Sequence, residues 1–239
     1  MGDIPEAGPV PLDRATRSPS RLLACLDLCK RFGHTEALAG ASLEVSAGEI
    51  VAVMGPSGSG KSTLLHCAAG ILVPDDGAVI FDGRTIDRLP DSKRSALRRS
   101  EFGFVFQFGR LVPELSCAEN VSLPLRLSGV GGRAAARRAA EWLERLEVSD
   151  IASNLPGDVS GGQGQRVAVA RALVTAPRVV FADEPTGSLD SLNGERVMQL
   201  LTAAARESHA AVVLVTHEPR VAAYADREII VRDGATHRI

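Results

Sequence analysis

The chain has 239 residues, of which 45% are hydrophobic and 23% are charged, and its formal net charge is −2 at pH 7. This length and apolar content are enough for one domain with a sizeable core. Charges of both signs are spread along the chain without a basic arm or an acidic tail, so nucleic acid is not the expected main partner.

The first 20 residues contain four prolines and several acidic residues but no apolar core, which is not the composition of a signal peptide. We predict that residues 1–20 are a disordered lead-in and that residues 21–239 form a single domain. The longest apolar runs, such as 211–215, fall far short of the ~20 residues that a membrane-spanning helix needs. The four cysteines lie in unrelated contexts, so reduced thiols in a cytoplasmic protein are expected.

Residues 21–45 alternate between apolar and polar side chains around Gly33 and Gly40, which predicts short antiparallel strands. Phe32 directly precedes the first of these glycines. A phenylalanine beside a turn glycine is either a core residue or an exposed platform on which a base can stack. The residue type alone favours the core.

A glycine-rich loop follows the apolar run at 50–54 and precedes a helical pattern that ends near Ala69. Its residues are Gly55, Pro56, Ser57, Gly58, Ser59, Gly60, Lys61, Ser62 and Thr63. Glycines let backbone N–H groups surround phosphate oxygens, and the helix adds the positive end of its dipole. Lys61 is then expected to reach the β- and γ-phosphates, and Ser62 to ligate Mg²⁺. The sequence therefore predicts a nucleoside triphosphate site.

The next elements are a predicted strand at 78–82, a short basic helix at 92–99 and a buried strand at 102–106 that ends on Gln107. A glutamine at the carboxyl end of a strand faces the crevice where α/β sheets hold ligands, or is simply a solvated cap. The helical period dominates between residues 111 and 155. We therefore expect an inserted helical subdomain at approximately 108–175.

A second glycine-rich element opens the helix predicted at 163–174. Its residues are Ser160, Gly161, Gly162 and Gln163. Ser160 suits the N-cap and Gln163 completes a capping box, so a well-capped helix start is one interpretation. The other is a second anion site, which the paired glycines favour because one capping residue would suffice for a cap.

The predicted strand at 179–182 ends in two carboxylates, Asp183 and Glu184. Asp183 suits a Mg²⁺ ligand, and Glu184 is placed to act as a general base toward a water. Ser188 is expected to cap the next helix. His217 follows the predicted strand at 210–216, so it is delivered to a strand end like the carboxylates.

These elements, in this order, resemble the ATP-binding cassette (ABC) ATPases over nearly the whole chain from residue 21. The matching motifs are the Walker A loop at Gly55–Ser62, the Q-loop at Gln107, the signature motif at Val159–Gln163, Walker B at Val179–Glu184, the D-loop at Ser188–Asp190 and the switch histidine at His217. Phe32 falls where the family places its adenine-stacking aromatic residue. Two departures, Val159 for leucine and Gly164 for glutamine, remove no catalytic group.

The resemblance implies an α/β fold, with a P-loop NTPase (RecA-like) core, an antiparallel β subdomain and an inserted helical subdomain. It implies ATP and Mg²⁺ as cofactors, with Ser62, Gln107 and Asp183 at the metal. Glu184, His217 and Gln107 would be catalytic. Two copies would pair head to tail, so that Ser160, Gly161, Gly162, Gln163 and Asp190 of one copy complete the ATP site of the other.

Within the family, the chain is similar to the branch of lipoprotein-release, macrolide-efflux and antimicrobial-peptide-resistance ATPases. That branch implies a separate transmembrane permease, membrane contact only through it, and a peripheral position on the cytoplasmic face. Export of a substrate, or its extraction from the membrane, is the implied work. The alternative is a non-transporting membrane signalling complex of the cell-division type, which a similar cassette would also serve.

Overall fold

The computed structural model of the protein describes residues 21–107 and 109–238. The predicted lead-in at 1–20 lies outside these residues, as does Phe108, where the predicted helical subdomain begins. The strands are β1 (Arg21–Phe32), β2 (Thr35–Ser46), β3 (Ile50–Met54), β4 (Asp76–Phe81), β5 (Arg84–Thr85), β6 (Phe102–Phe106), β7 (Val179–Asp183), β8 (Ala211–Val215), β9 (Arg227–Arg232) and β10 (Ala235–Arg238). The helices are α1 (Lys61–Ala68), α2 (Asp91–Ser100), α3 (Cys117–Leu127), α4 (Gly132–Arg145), α5 (Gly161–Leu173), α6 (Ser191–Glu207) and α7 (Pro219–Ala222).

One sheet is antiparallel, with strand order β2-β1-β4-β5. The antiparallel pairing was predicted, but β1 and β2 have 12 residues each and are not short strands. The alternation also fails at Leu26, which is 36% exposed. Leu26 lies next to Asp27, whose φ of 47° accompanies a register shift in both pairings of β1, as in a β-bulge that interrupts the alternation.

The second sheet has the order β10-β9-β3-β8-β7-β6, and all its strands except β10 run parallel. Strands of such a sheet are buried on both faces, which explains their continuous apolar runs. Along β8, Val213 and Val215 point into the core that also holds α1, while Val212 and Leu214 point into the core shared with α5 and α6.

Strand β10 was not predicted from the sequence. It pairs with β9 through a turn of only Asp233 and Gly234, both with positive φ. An Asp-Gly pair is a typical two-residue hairpin turn, so the signal was present in the sequence.

Helices α3, α4 and α5 lie between β6 and β7, within the segment predicted as a helical subdomain. Ala135, Ala139 and Leu143 form the buried stripe of α4, at the spacing of one helix face. Trp142 is only partly buried, and the Arg145 guanidinium lies 4.3 Å from the centre of its ring. The division into subdomains stays a prediction.

In the described part of the chain, no helix has the length and apolar content needed to cross a membrane. All four cysteines are free thiols, as expected.

Phe181, on β7, is the centre of a cluster of aromatic side chains in the core that both sheets share. It is 1% exposed, and its ring centre lies 5.3 Å from that of Phe102 and 5.6 Å from that of Phe104. We expect Phe181→Ala to lower the free energy of unfolding by about 3–5 kcal/mol, since it leaves a cavity that the sheets cannot fill. Urea denaturation measures this.

The matched control is Leu192→Ala, because Leu192 is 78% exposed. Its substitution should change the free energy of unfolding by less than about 0.5 kcal/mol. Equal losses in the two variants would contradict the assignment of Phe181 to the core.

Candidate functional site

The loop between β3 and α1 is pressed against two other backbone segments. Gly55 and Gly60 have φ values of 149° and 104°, in the region that favours glycine. A Cβ atom at Gly55 would lie 2.1 Å from the carbonyl oxygen of Val231, and one at Gly60 would lie 2.3 Å from that of Ala37. Because the backbones approach so closely, both positions require glycine. Residues 56–58 of the loop are exposed.

Lys61 is folded into this loop. It is 7% exposed, and its ammonium group donates hydrogen bonds of 2.8 Å to the carbonyl oxygens of Gly55 and Pro56. No side chain caps the N-terminus of α1, and its first turn holds no acidic residue. The positive end of the helix dipole is therefore not neutralised locally, and it suits an anion at the loop.

The carboxyl end of β7 approaches the start of α1. The Ser62 hydroxyl donates to Oδ1 of Asp183 at 3.2 Å, so two hard oxygen ligands lie together. Among the described residues, no group of three or more His, Cys, Asp or Glu is arranged to hold a metal ion. Mg²⁺ at a nucleotide needs only one or two protein oxygens, because phosphates and waters fill its remaining positions. The Ser62–Asp183 pair fits that requirement.

The next residue, Glu184, is paired with His217. Its Oε1 lies 2.8 Å from Nδ1 of the imidazole, and its amide donates to the carbonyl oxygen of Val215. The φ of Glu184 is 47°, a strained value for a residue with a side chain. The hydrogen bond to Glu184, together with its negative charge, raises the pKa of His217.

Gln107 lies against the loop that follows Glu184. Its carbonyl oxygen accepts a hydrogen bond of 2.8 Å from the Ser188 hydroxyl, and a Cβ at Gly187 would come within 2.8 Å of its Nε2. The prediction that Ser188 caps the next helix is therefore wrong. Asp190 is the N-cap of α6, because its carboxylate accepts from the Asn193 amide, while the Ser188 hydroxyl is used by Gln107.

The capping box at the start of α5 is confirmed. The Ser160 hydroxyl accepts from the Gln163 amide at 3.3 Å, and the Gln163 side chain accepts from the Ser160 amide at 2.9 Å. Gly162 packs against Asn193, whose Oδ1 would lie 2.6 Å from a Cβ at that glycine. Asn193 also donates to Asp190 at 2.6 Å. Sequence reasoning missed Asn193, whose only signal was its place three residues after an N-cap.

Phe32 is not a core residue. It ends β1, its ring is 48% exposed, and the Lys30 ammonium lies 5.8 Å from the ring centre. The core interpretation that residue type favoured is therefore wrong, because the hairpin carries this position beyond the edge of the core.

The structure brings one group of predicted residues together and leaves another apart. Lys61, Ser62, Asp183, Glu184 and His217 meet at the carboxyl ends of β3, β7 and β8. Gly162, at the start of α5, instead packs against Asn193 in the first turn of α6. Within the described residues, no hydrogen bond joins the start of α5 to the loop that holds Lys61.

Comparison with known proteins identifies the family of the chain. The family profile described as "ABC transporter" matches residues 38–187. The chain belongs to the ABC transporter family. It is 46% identical over 199 residues to the lipoprotein-releasing system ATP-binding protein LolD of Paramagnetospirillum magneticum, covering 83% of this chain and 88% of that relative. The corresponding protein of Bacteroides fragilis is 42% identical over 207 residues, covering 87% and 96%.

Solved structures agree. The chain superposes with a TM-score of 0.83 on the ATP-binding cassette MJ0796, in a dimeric post-hydrolysis state bound to ADP and Pi, at 39% identity and with 90% of this chain and 98% of that chain covered. The predicted fold class and the resemblance to ABC ATPases are thereby confirmed. The chain is an ABC ATPase subunit.

The Glu184–His217 pair predicts a shifted titration. Because the charged imidazolium is favoured beside the carboxylate, the pKa of His217 should lie above its ordinary value of 6.5, and His217 should stay protonated to higher pH. Glu184→Gln removes the charge and should move the pKa back toward 6.5. Side-chain NMR titration measures both.

The matched control is Glu218→Gln, since Glu218 makes a smaller contribution of the same sign. It should lower the His217 pKa less than Glu184→Gln does. An unchanged titration in Glu184→Gln would contradict the pairing.

Proposed function

We propose that this chain binds ATP with Mg²⁺ at the loop 55–63 and hydrolyses it to power a separate transmembrane permease. The proposed work is export of a substrate or its extraction from the membrane, with the chain attached peripherally at the cytoplasmic face. The observation that carries the proposal is the convergence of the Ser62–Asp183 and Glu184–His217 pairs beside Lys61. The lipoprotein-releasing relatives favour extraction over the signalling alternative.

ATP would be held at both of its ends. The exposed ring of Phe32 is available to stack on adenine, and the amides of the loop and of the first turn of α1 would surround the phosphates. Lys61 now donates to two neutral carbonyl groups. A phosphate oxygen is a stronger acceptor because it is charged, so we infer that Lys61 turns to the β- and γ-phosphates when ATP binds.

Ser62 and Asp183 would hold the metal, with Gln107 reaching it directly or through water. A metal ion held by these residues would supply positive charge that offsets the negative charge developing on the phosphate oxygens. The Ser188 hydroxyl and the close approach of Gly187 fix the position of Gln107 relative to the loop after β7.

Glu184 would orient the attacking water and accept its proton. The carboxylate is suited to this because it lies just beyond the metal ligand Asp183, at a strand end. His217 stays protonated to higher pH through Glu184 and so can donate a hydrogen bond to the γ-phosphate. The strained φ of Glu184 holds its carboxylate on the side of His217.

A second copy of the chain would complete each site. The start of α5 makes no hydrogen bond to the phosphate loop of its own chain, within the described residues, and the similar MJ0796 cassette is dimeric. In a head-to-tail dimer, the helix dipole behind Ser160 would meet the γ-phosphate held by the opposite Lys61. The residues brought by the second copy would be Ser160, Gly161, Gly162, Gln163 and Asp190.

Replacing the proposed base should separate binding from hydrolysis. We expect Glu184→Gln to lower the steady-state rate of ATP hydrolysis about 10²–10⁴-fold, which is the usual contribution of a general base. The variant should also form a stable dimer with ATP and Mg²⁺, because bound ATP persists. Enzyme-coupled phosphate release and size-exclusion chromatography measure the two effects.

The control is Glu141→Gln, on the exposed surface of α4, which should hydrolyse ATP like the wild type. Wild-type turnover by Glu184→Gln would remove Glu184 from the mechanism. Failure of that variant to dimerise with ATP would count against the shared site.

A groove beside Gln107 is the proposed contact with the permease. The cavity has a volume of about 530 Å³ and lies between α2, β6, α3 and α5. Its walls combine exposed apolar side chains with four guanidinium groups. The lining residues include Ile71, Phe104, Phe106, Leu123, Leu127, Arg98, Arg99, Arg110 and Arg171. Apolar surface ringed by cations fits a permease segment that carries both apolar and acidic side chains.

A charge placed in this groove should disrupt assembly but not hydrolysis. Leu127 is 64% exposed, so Leu127→Glu should fold normally. We expect it to lose co-purification with its coexpressed permease while the isolated subunit keeps its ATPase rate, since the new carboxylate would repel the acidic side chains of the permease segment and compete with them for the guanidinium groups of the groove. Leu26→Glu, at an exposed leucine of the antiparallel sheet, is the control. Retained co-purification of Leu127→Glu would contradict the assignment.

A further inference from the structure

We propose that Gly234, in the turn between β9 and β10, is a positioning residue that holds the phosphate-binding loop in its nucleotide-binding shape. The inference rests on the proposed function, because ATP or ADP is the ligand whose affinity would change. The Asp-Gly pair is typical of a hairpin turn, but it does not indicate a role for Gly234 at the phosphate-binding loop, and the strand that follows was not predicted.

Gly234 joins the phosphate loop to the antiparallel sheet. Its amide donates to the carbonyl oxygen of Ser59 at 3.1 Å, and its own carbonyl oxygen accepts from the amide of Ala39 at 2.9 Å. Ser59 lies inside the loop, and Ala39 lies on β2. One residue of the C-terminal hairpin therefore carries a hydrogen bond to each of the two segments between which it sits.

The bond to Ser59 is important because the side chain of Ser59 does not anchor the loop. Ser59 is 6% exposed, and its hydroxyl has no hydrogen-bond partner within the described residues. Its main chain is held instead by two hydrogen bonds. The Ser59 amide donates to the carbonyl oxygen of Pro56 at 3.3 Å, and the Ser59 carbonyl oxygen accepts from the amide of Gly234. The shape of the loop thus depends on backbone contacts.

The space at Gly234 is filled by backbone. A Cβ there would lie 2.9 Å from the Ala39 nitrogen, 3.0 Å from the Leu38 Cα and 3.1 Å from the Ala37 carbonyl oxygen. Backbone atoms cannot rotate away as a side chain can. A displacement of Ala37 would also displace Gly60, because the two backbones are in close contact. The Ala37 carbonyl oxygen would lie 2.3 Å from a Cβ atom at Gly60. Gly60 immediately precedes Lys61.

The hairpin also has little freedom to withdraw. The Thr236 hydroxyl accepts from the Ser42 amide at 2.8 Å, which fixes β10 to β2 two residues beyond the turn. At the other side of the turn, the carbonyl oxygen of Val231 faces Gly55 at the start of the loop. An added methyl group at Gly234 would therefore displace the loop and β2 relative to each other.

A second hairpin of this chain supplies a matched control. The turn between β4 and β5 is also an Asp-Gly pair, with φ of 50° at Asp82 and 74° at Gly83, against 48° at Asp233 and 75° at Gly234. A Cβ at Gly83 would meet nothing within 4 Å. Gly83→Ala and Gly234→Ala therefore impose the same backbone strain, and only Gly234→Ala adds a collision.

The experiment compares the two variants by isothermal titration with MgADP, which needs no hydrolysis. We expect Gly234→Ala to weaken MgADP binding about tenfold or more, because a small misplacement of phosphate-binding amides is costly. Gly83→Ala should keep the wild-type affinity. Circular dichroism confirms that both are folded, and a lowered Tm from turn strain alone should be seen in both.

Equal affinities of Gly234→Ala and the wild type would overturn the inference, as would equal weakening in both variants. If the wild-type chain itself did not bind MgADP, the proposed function would fail, which is a separate result.

If Gly234→Ala does not fold, hydrogen exchange on the wild-type chain gives the same test. Binding and loop order are linked reciprocally, so MgADP should slow exchange in a peptide covering residues 232–238. The peptide covering 81–86 should exchange as before. No slowing at 232–238 would overturn the inference.

Discussion

The close approach of two other backbone segments to the phosphate loop is the constraint on which the rest of the structure depends. Gly55 is pressed against Val231, and Gly60 against Ala37, at distances that leave no room for a Cβ atom. Strand β9, which holds Val231, and the antiparallel sheet, which holds Ala37, therefore determine the shape of the loop together. Since amides bind phosphate only when they point inward together, this clamp makes the loop a preorganised anion site.

The parallel sheet adds the polar groups to that site. Its strands β3, β7 and β8 are buried on both faces, so their polar side chains appear where the strand ends. Asp183, Glu184 and His217 all stand at such ends, and β7 and β8 are adjacent strands. The same apolar burial that stabilises the sheet thus delivers the carboxylates and the imidazole to one edge, beside Lys61.

In the dimer proposed above, each chain would supply two half-sites rather than one whole site. The phosphate loop and the strand ends form one half, and the start of α5 with Asn193 and Asp190 forms the other. In the similar dimeric cassette structures, two copies are paired. Such a pairing would explain why a strongly capped helix start has no hydrogen bond to the loop of its own chain within the described residues. In the proposed dimer, its dipole would face the phosphates held by the other copy.

The sequence by itself determined the features that local patterns encode. It predicted the phosphate loop, the capping box at Ser160, the buried strand before Asp183 and the family. Each of these is encoded by glycine spacing, capping residues or apolar periodicity, which are patterns of a few neighbouring residues. Only the tertiary structure decided four other features. These are the exposure of Phe32, the hydrogen bond from Ser188 to Gln107, the packing of Asn193 against Gly162 and the hydrogen bonds of Gly234 to Ser59 and Ala39. These features depend on contacts between segments that are far apart in the sequence, and such contacts produce no periodic pattern in the sequence.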